Sequence, residues 1–83
     1  MPLQFSPKYW HAYKQLSPSE QRQVDSHLLL LDENHRHPSL RARRWDADTW
    51  YARVSRDLRV FYEVHEGFYF VKDVGHHDIE RSL

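Results

Sequence analysis

An α+β fold is what this sequence predicts: two N-terminal helices packed on one face of an antiparallel sheet, in the order β-α-α-β-β-β. Three observations carry the expectation. Two serine–proline pairs, Ser6-Pro7 and Ser17-Pro18, each place an N-cap residue before a proline at the first helical position. The apolar residues then recur at helical spacing in the first half and alternate in the second. Finally, 83 residues leave room for a single domain, residues 1–83, and 14% aromatic residues give it a dense core. A chain this short buries only ~60% of its unfolded surface, so aromatic side chains that each remove ~150–250 Å² from water are what let it fold alone.

Taken in order, "PLQF" is long enough only for a short strand. "PKYWHAYKQL" follows as a short helix with Tyr9, Trp10, Tyr13 and Leu16 on its buried face. "SPSE" opens the second helix, where Glu20 stands three residues after Ser17 and completes a capping box. Val24, His27, Leu28 and Leu31 form its apolar stripe, widened by Leu29 and Leu30. "TWYARVS" and "LRVFYEVH" alternate as strands do, and "FYFVKDV" is a nearly continuous apolar run, as in a central strand covered on both faces. Turns fall around Asp57 and at Glu66-Gly67. If Ser55 faces Arg59, then Trp50, Ala52, Val54, Val60, Tyr62 and Val64 share one face. Tyr51, Arg53, Ser55, Arg59, Phe61 and Glu63 then share the other, so Arg53 and Arg59 lie together on the face away from the helices.

Composition narrows the function classes. There is no cysteine, which excludes disulfides and thiolate metal sites. No apolar run approaches the ~20 residues of a membrane span and no signal-peptide layout opens the chain, so a cytoplasmic location is expected. Net charge is zero, with twelve basic and twelve acidic residues, but "HRHPSLRARR" (35–44) holds four arginines, two histidines and no acid. This segment is either a solvated loop or a phosphate-facing patch.

Paired arginines and nearby imidazoles have a defined chemistry. Guanidinium forks bind phosphate oxygens and stabilise the added charge of a pentacoordinate transition state. A histidine takes or donates a proton near neutrality. Together they support metal-free RNA cleavage, in which the ribose 2′-hydroxyl attacks its own 3′-phosphate, a route closed to DNA. The plainer reading is that Arg53 and Arg59 solvate an exposed face and pair with Glu63. His76-His77-Asp78 are consecutive, so their side chains diverge in extended chain and disfavour a metal site, even with His35 and His37 as further ligands. His11 and His27 read as surface and core residues, and Trp45 and Trp50 as packing.

The segments "WYARVSRDLRVFYEV" and "FYFVKDVGHHD" resemble the signature of the RelE/ParE toxin superfamily, in which an R-V-[FI]-Y-x-[VI] strand precedes a strand ending in a Val-Gly-His or Val-Gly-Lys corner. "HRHPSLRARRW" is similar to the family's connection between second helix and sheet, and the resemblance spans essentially the whole chain. It implies the toxin of a type II toxin–antitoxin system, a metal-independent, ribosome-dependent messenger RNA endonuclease that needs no cofactor. By position, the resemblance assigns Arg59 to the transition-state phosphate and Arg53 to a second basic site. It places Tyr51 where RelE has a lysine, and gives His76 and His77 the basic corner. Arg41, Arg43, Arg44 and Tyr51 are the candidate RNA contacts. Implied partners are a cognate antitoxin, messenger RNA and the ribosome, with no membrane. The sequence departs from the family in two respects: no tyrosine follows the corner, and the chain is neutral where relatives are basic. Two other readings therefore stand beside the nuclease, a ParE-like inhibitor of DNA gyrase and a catalytically inactive module that keeps the fold for binding.

Overall fold

Serine and proline start both helices as expected, in a computed structural model that describes residues 1–76. After strand β1 (Leu3–Phe5), helix α1 runs over Pro7–Lys14, with the Ser6 hydroxyl accepting from the Tyr9 N–H. Helix α2 runs over Pro18–Glu33 and has the full capping box: the Glu20 N–H donates to Ser17 Oγ, and the Ser17 N–H to Glu20 Oε1. A short 3-10 turn, Pro38–Leu40, leads to β2 (Arg43–Arg44), β3 (Thr49–Arg53), β4 (Leu58–His65) and β5 (Phe68–His76).

The sheet order is β1-β5-β4-β3-β2. β1 lies parallel to β5 and every other pair is antiparallel. Two features thus go beyond the sequence expectation, the extra strand β2 and the parallel pairing of β1. The helices carry the chain from β1 at one edge of the sheet to β2 at the other, and the three antiparallel reversals that follow bring β5 alongside β1 in the same direction.

The core lies between the helices and one sheet face. Val24, Leu28 and Leu31 of α2 join Ala52, Val54, Leu58, Val60, Tyr62, Tyr69, Val71 and Val74, and each fully buried aliphatic side chain contributes ~1.5–3 kcal/mol. Three expected core residues are displaced, among them His27, which is only half-buried and lines a recess. Trp10 is 45% exposed, because Tyr9, Tyr13 and Leu16 hold the inward stripe at i, i+4, i+7; its ring instead packs against Phe5 and Tyr13. Leu29 is 71% exposed for the same geometric reason, about 100° round the helix from Leu28.

The first hairpin corrects the expected register. Arg53, not Ser55, stands opposite Arg59. Both the Val54 and Ser55 N–H groups donate to the Leu58 carbonyl (2.9 and 3.1 Å), so the loop takes Val54 and Ser55 out of the ladder. A shift of two residues preserves faces in a structure of period two. Arg53 and Arg59 therefore still share the face away from the helices.

β5 carries a bulge. Phe61 pairs with Asp73 and Tyr62 with Val71, leaving Lys72 as the extra residue. Without it, Val71 and Val74 would point to opposite faces; with it, both join the core and the register beyond is reset. Gly75 then stands opposite Arg59, and His76 opposite the buried Leu58.

Candidate nucleic-acid cleft

Four arginines line one concavity. Arg41, Ala42, Arg43, Tyr51, Arg53 and Arg59 surround a cleft of about 470 Å³ on the helix-distal face. The ladder pairs that assemble it are Arg43 with Tyr51 and Arg53 with Arg59. Asp46 fixes the first of these: its carboxylate accepts from the Asp48 and Thr49 N–H groups (2.9 and 2.8 Å), which shapes the β2–β3 turn. Those same two bonds hold the Asp46 carboxyl below its ordinary range.

Arg41 enters by another route. It adopts a left-handed conformation (φ 49°) at the end of the 3-10 turn, closing it through an N–H donated to the Pro38 carbonyl. A non-glycine residue held there costs on the order of 1 kcal/mol, and such local strain concentrates at functional positions.

Inside the cleft, the Arg59 guanidinium stacks over the Tyr51 ring at 5.3 Å. Tyr51 leans on Phe61 and Trp45, at ring separations of 5.7 and 6.4 Å, so an aromatic platform backs one wall. Arg53 is exposed and Arg59 half-buried. Like charges directly opposite on paired strands destabilise a sheet by ~0.2–1 kcal/mol. The described lining residues include no carboxylate. An anion with several oxygens would ease the repulsion, since guanidinium forks bind phosphate in bidentate fashion. A recess of about 360 Å³ adjoins it, sharing Arg41 and Arg53 and adding Arg56 and His27. Arg56 carried no sequence signal, because its turn position has no periodicity.

Two sequence candidates do not join this set. Arg44 pairs with Trp50 on the opposite face; adjacent residues of a strand point apart, so Arg43 and Arg44 cannot both enter one cleft. His76 also turns away: on the Leu58 side of the sheet, its Nε2 lies 2.8 Å from Glu20 Oε2 at the start of α2. Glu20 is held below its usual range first by the Ser17 backbone N–H and then by His76. His77 lies outside the described residues. The cleft therefore brings together Arg41, Arg43, Tyr51, Arg53 and Arg59, and no described histidine lines it.

Three further imidazoles have local partners. His35 sits among Trp50, Tyr62 and Tyr69 and lies 3.4 Å from the Tyr62 hydroxyl; burial, then Arg36, lowers its pKa. His27 Nδ1 lies 2.8 Å from the Gln23 carbonyl, and His65 pairs with Glu63 at 2.6 Å while stacking on Phe68. Among the described residues, no three His, Cys, Asp or Glu side chains converge as a metal site.

No family model and no curated protein sequence matches the chain. Solved structures do. The crystal structure of YafQ from E. coli strain BL21(DE3) superposes with a TM-score of 0.78 at 12% identity, over 92% of each chain. A chain of the intact E. coli RelBE toxin–antitoxin complex gives 0.74 at 22% identity, over 90% of this chain and 94% of that one. The YoeB/ParE toxin from Agrobacterium tumefaciens gives 0.69 at 20% identity, over 93% and 99%. TM-scores of 0.69 to 0.78 with near-complete mutual coverage show that the chain has the RelE/ParE toxin fold.

Proposed function

We propose that this chain is the toxin of a type II toxin–antitoxin system and acts as an endonuclease on messenger RNA in the ribosome. The single observation that carries the reading is the cleft that Arg41, Arg43, Arg53 and Arg59 line together with Tyr51. In the proposed reaction a base removes the proton of a ribose 2′-hydroxyl. The 2′-oxygen attacks the adjacent phosphorus, the bond from phosphorus to the 5′-oxygen breaks, and an acid protonates that oxygen. The products are a 2′,3′-cyclic phosphate and a free 5′-hydroxyl. Arg53 and Arg59 neutralise the charge that builds on the phosphorane oxygens. Arg41 and Arg43 hold neighbouring phosphates, and Tyr51 presents its ring to a base.

The proton transfers are assigned to His77, because His76 is engaged with Glu20 on the other side of the sheet. The cognate partner is an antitoxin whose acidic residues neutralise the cleft, in keeping with the toxin–antitoxin complex in which the RelBE relative was crystallised.

A second reading has one observation in its favour. No described imidazole lines the cleft, which suits a ParE-like protein that binds DNA gyrase without cutting RNA. Induction in cells separates the two. Arrest of protein synthesis within minutes, lost in Arg59→Ala and in His77→Ala, supports the nuclease. DNA-damage signalling with early translation intact supports gyrase.

A further inference from the structure

We propose that Arg36 and Arg44, stacked on Trp50, form a second phosphate-binding site that carries single-stranded RNA over the β2 edge, beyond the cleft. The inference rests on the nuclease reading and extends it to the flanking nucleotides.

The arrangement begins with β2, the edge strand of the sheet, whose two residues are both arginine. Arg43 stands opposite Tyr51 and lines the cleft; Arg44 stands opposite Trp50 and faces the other way. Their guanidinium groups thus straddle the sheet edge. On the far side, the guanidinium carbons of Arg44 and Arg36 lie 5.1 and 5.6 Å from the centre of the Trp50 ring. His35 packs edge-on against the same ring at 5.1 Å. Stacking restrains each guanidinium through its flat face and leaves its N–H edge free for an anion. Among the described residues, neither Arg36 nor Arg44 forms an ion pair.

Beside them opens a recess of about 600 Å³, lined by His35, Arg44, Ala47, Asp48, Trp50, Glu63, Val64 and His65. Glu63 is already matched by Lys72 at 3.3 Å and His65 at 2.6 Å, so Asp48 is the one carboxylate there without an ion pair among the described residues.

Continuity favours RNA over an acidic peptide. The two sites are separated by one residue of one edge strand, a rise of ~3.3 Å, with side chains to opposite faces. A polymer with a charge on every nucleotide that leaves the cleft across this edge meets Arg44 next. An acidic peptide would need its carboxylates placed to match both sides.

The test is equilibrium binding of two single-stranded RNAs blocked by a 2′-deoxy group at the scissile position. One is short enough to fill only the cleft, and the other extends past it on both sides. Wild-type protein is expected to bind the longer RNA more tightly. The Arg36→Ala/Arg44→Ala double variant should lose that gain, about tenfold or more, with binding of the short RNA retained. Two lost phosphate contacts also flatten the salt dependence for the long RNA by about 1.4 in slope. An unchanged length gain and slope overturns the proposal. So does a variant that loses a poly-glutamate peptide but not RNA. The cleft is read separately, on the short RNA: indifference to Arg53→Gln there counts against the nuclease reading, whatever the longer RNA shows.

Discussion

Replacing Arg53 by glutamine should slow RNA cleavage while leaving the protein as stable as before, or more so. Glutamine keeps much of the stem and removes the charge. Arg53 is exposed, forms no ion pair among the described residues, and stands opposite Arg59. Relief of that like-charge pair is worth ~0.2–1 kcal/mol, which in a domain of this size raises Tm by roughly 1–8 °C. The catalytic side runs the other way. A unit charge ~5 Å from a phosphate oxygen contributes ~1–3 kcal/mol for effective dielectric values between bulk water and a protein surface. Lost from the transition state, that is ~5–150-fold in rate. The assay is single-turnover cleavage of messenger RNA on ribosomes, paired with thermal unfolding. A rate within about twofold of wild type would remove Arg53 from the reaction, and a Tm lower by more than about 5 °C would show it to be structural; either refutes the argument.

Three further outcomes follow from the fold. Ser17→Ala removes one half of the capping box and should cost ~1 kcal/mol, read as a Tm lower by about 4–8 °C. Leu31→Ala opens a hole at a side chain with 0% exposure and should cost ~2–5 kcal/mol. That is a large part of the ~4–12 kcal/mol expected for a domain this small, so partial unfolding near 37 °C should be visible by circular dichroism. Finally, burial and then Arg36 hold the His35 imidazole below its ordinary 6.5. The unfolded chain takes up this proton first as pH falls through 6.5, so stability is lost below that value and untouched above it. Denaturant titrations from roughly pH 7 to 5 should show this loss in wild type and a shallower one in His35→Gln; equal slopes would contradict it.

What the sequence made legible was whatever depends on local spacing. The Ser17–Glu20 box is an i, i+3 pattern and forms as read. The faces of the first hairpin survived an error in its register because the error was two residues, the period of a strand. Features set by long-range pairing were not legible. β2 consists of Arg43 and Arg44 alone and has no apolar alternation to reveal it. By charge alone Arg44 groups with Arg41 and Arg43, although neighbours in a strand point apart. The face of His76 depends on the Lys72 bulge, which resets the register of everything after it. The odd spacing of Val71 and Val74, both needed in the core, was the one trace of that bulge in the sequence. Arg41 gave no warning of its positive φ, since arginine has no preference for that region.

The most direct test of the central claim is to incubate the purified chain with messenger RNA on translating ribosomes and map the new 5′ ends, beside Arg59→Ala and His77→Ala. The account predicts cuts within A-site codons, bearing 5′-hydroxyl ends, that disappear in both variants while their unfolding curves stay cooperative. Intact messenger RNA after incubation with well-folded wild-type protein would contradict it, and the four-arginine cleft would then be a surface for holding a polyanion without cutting it.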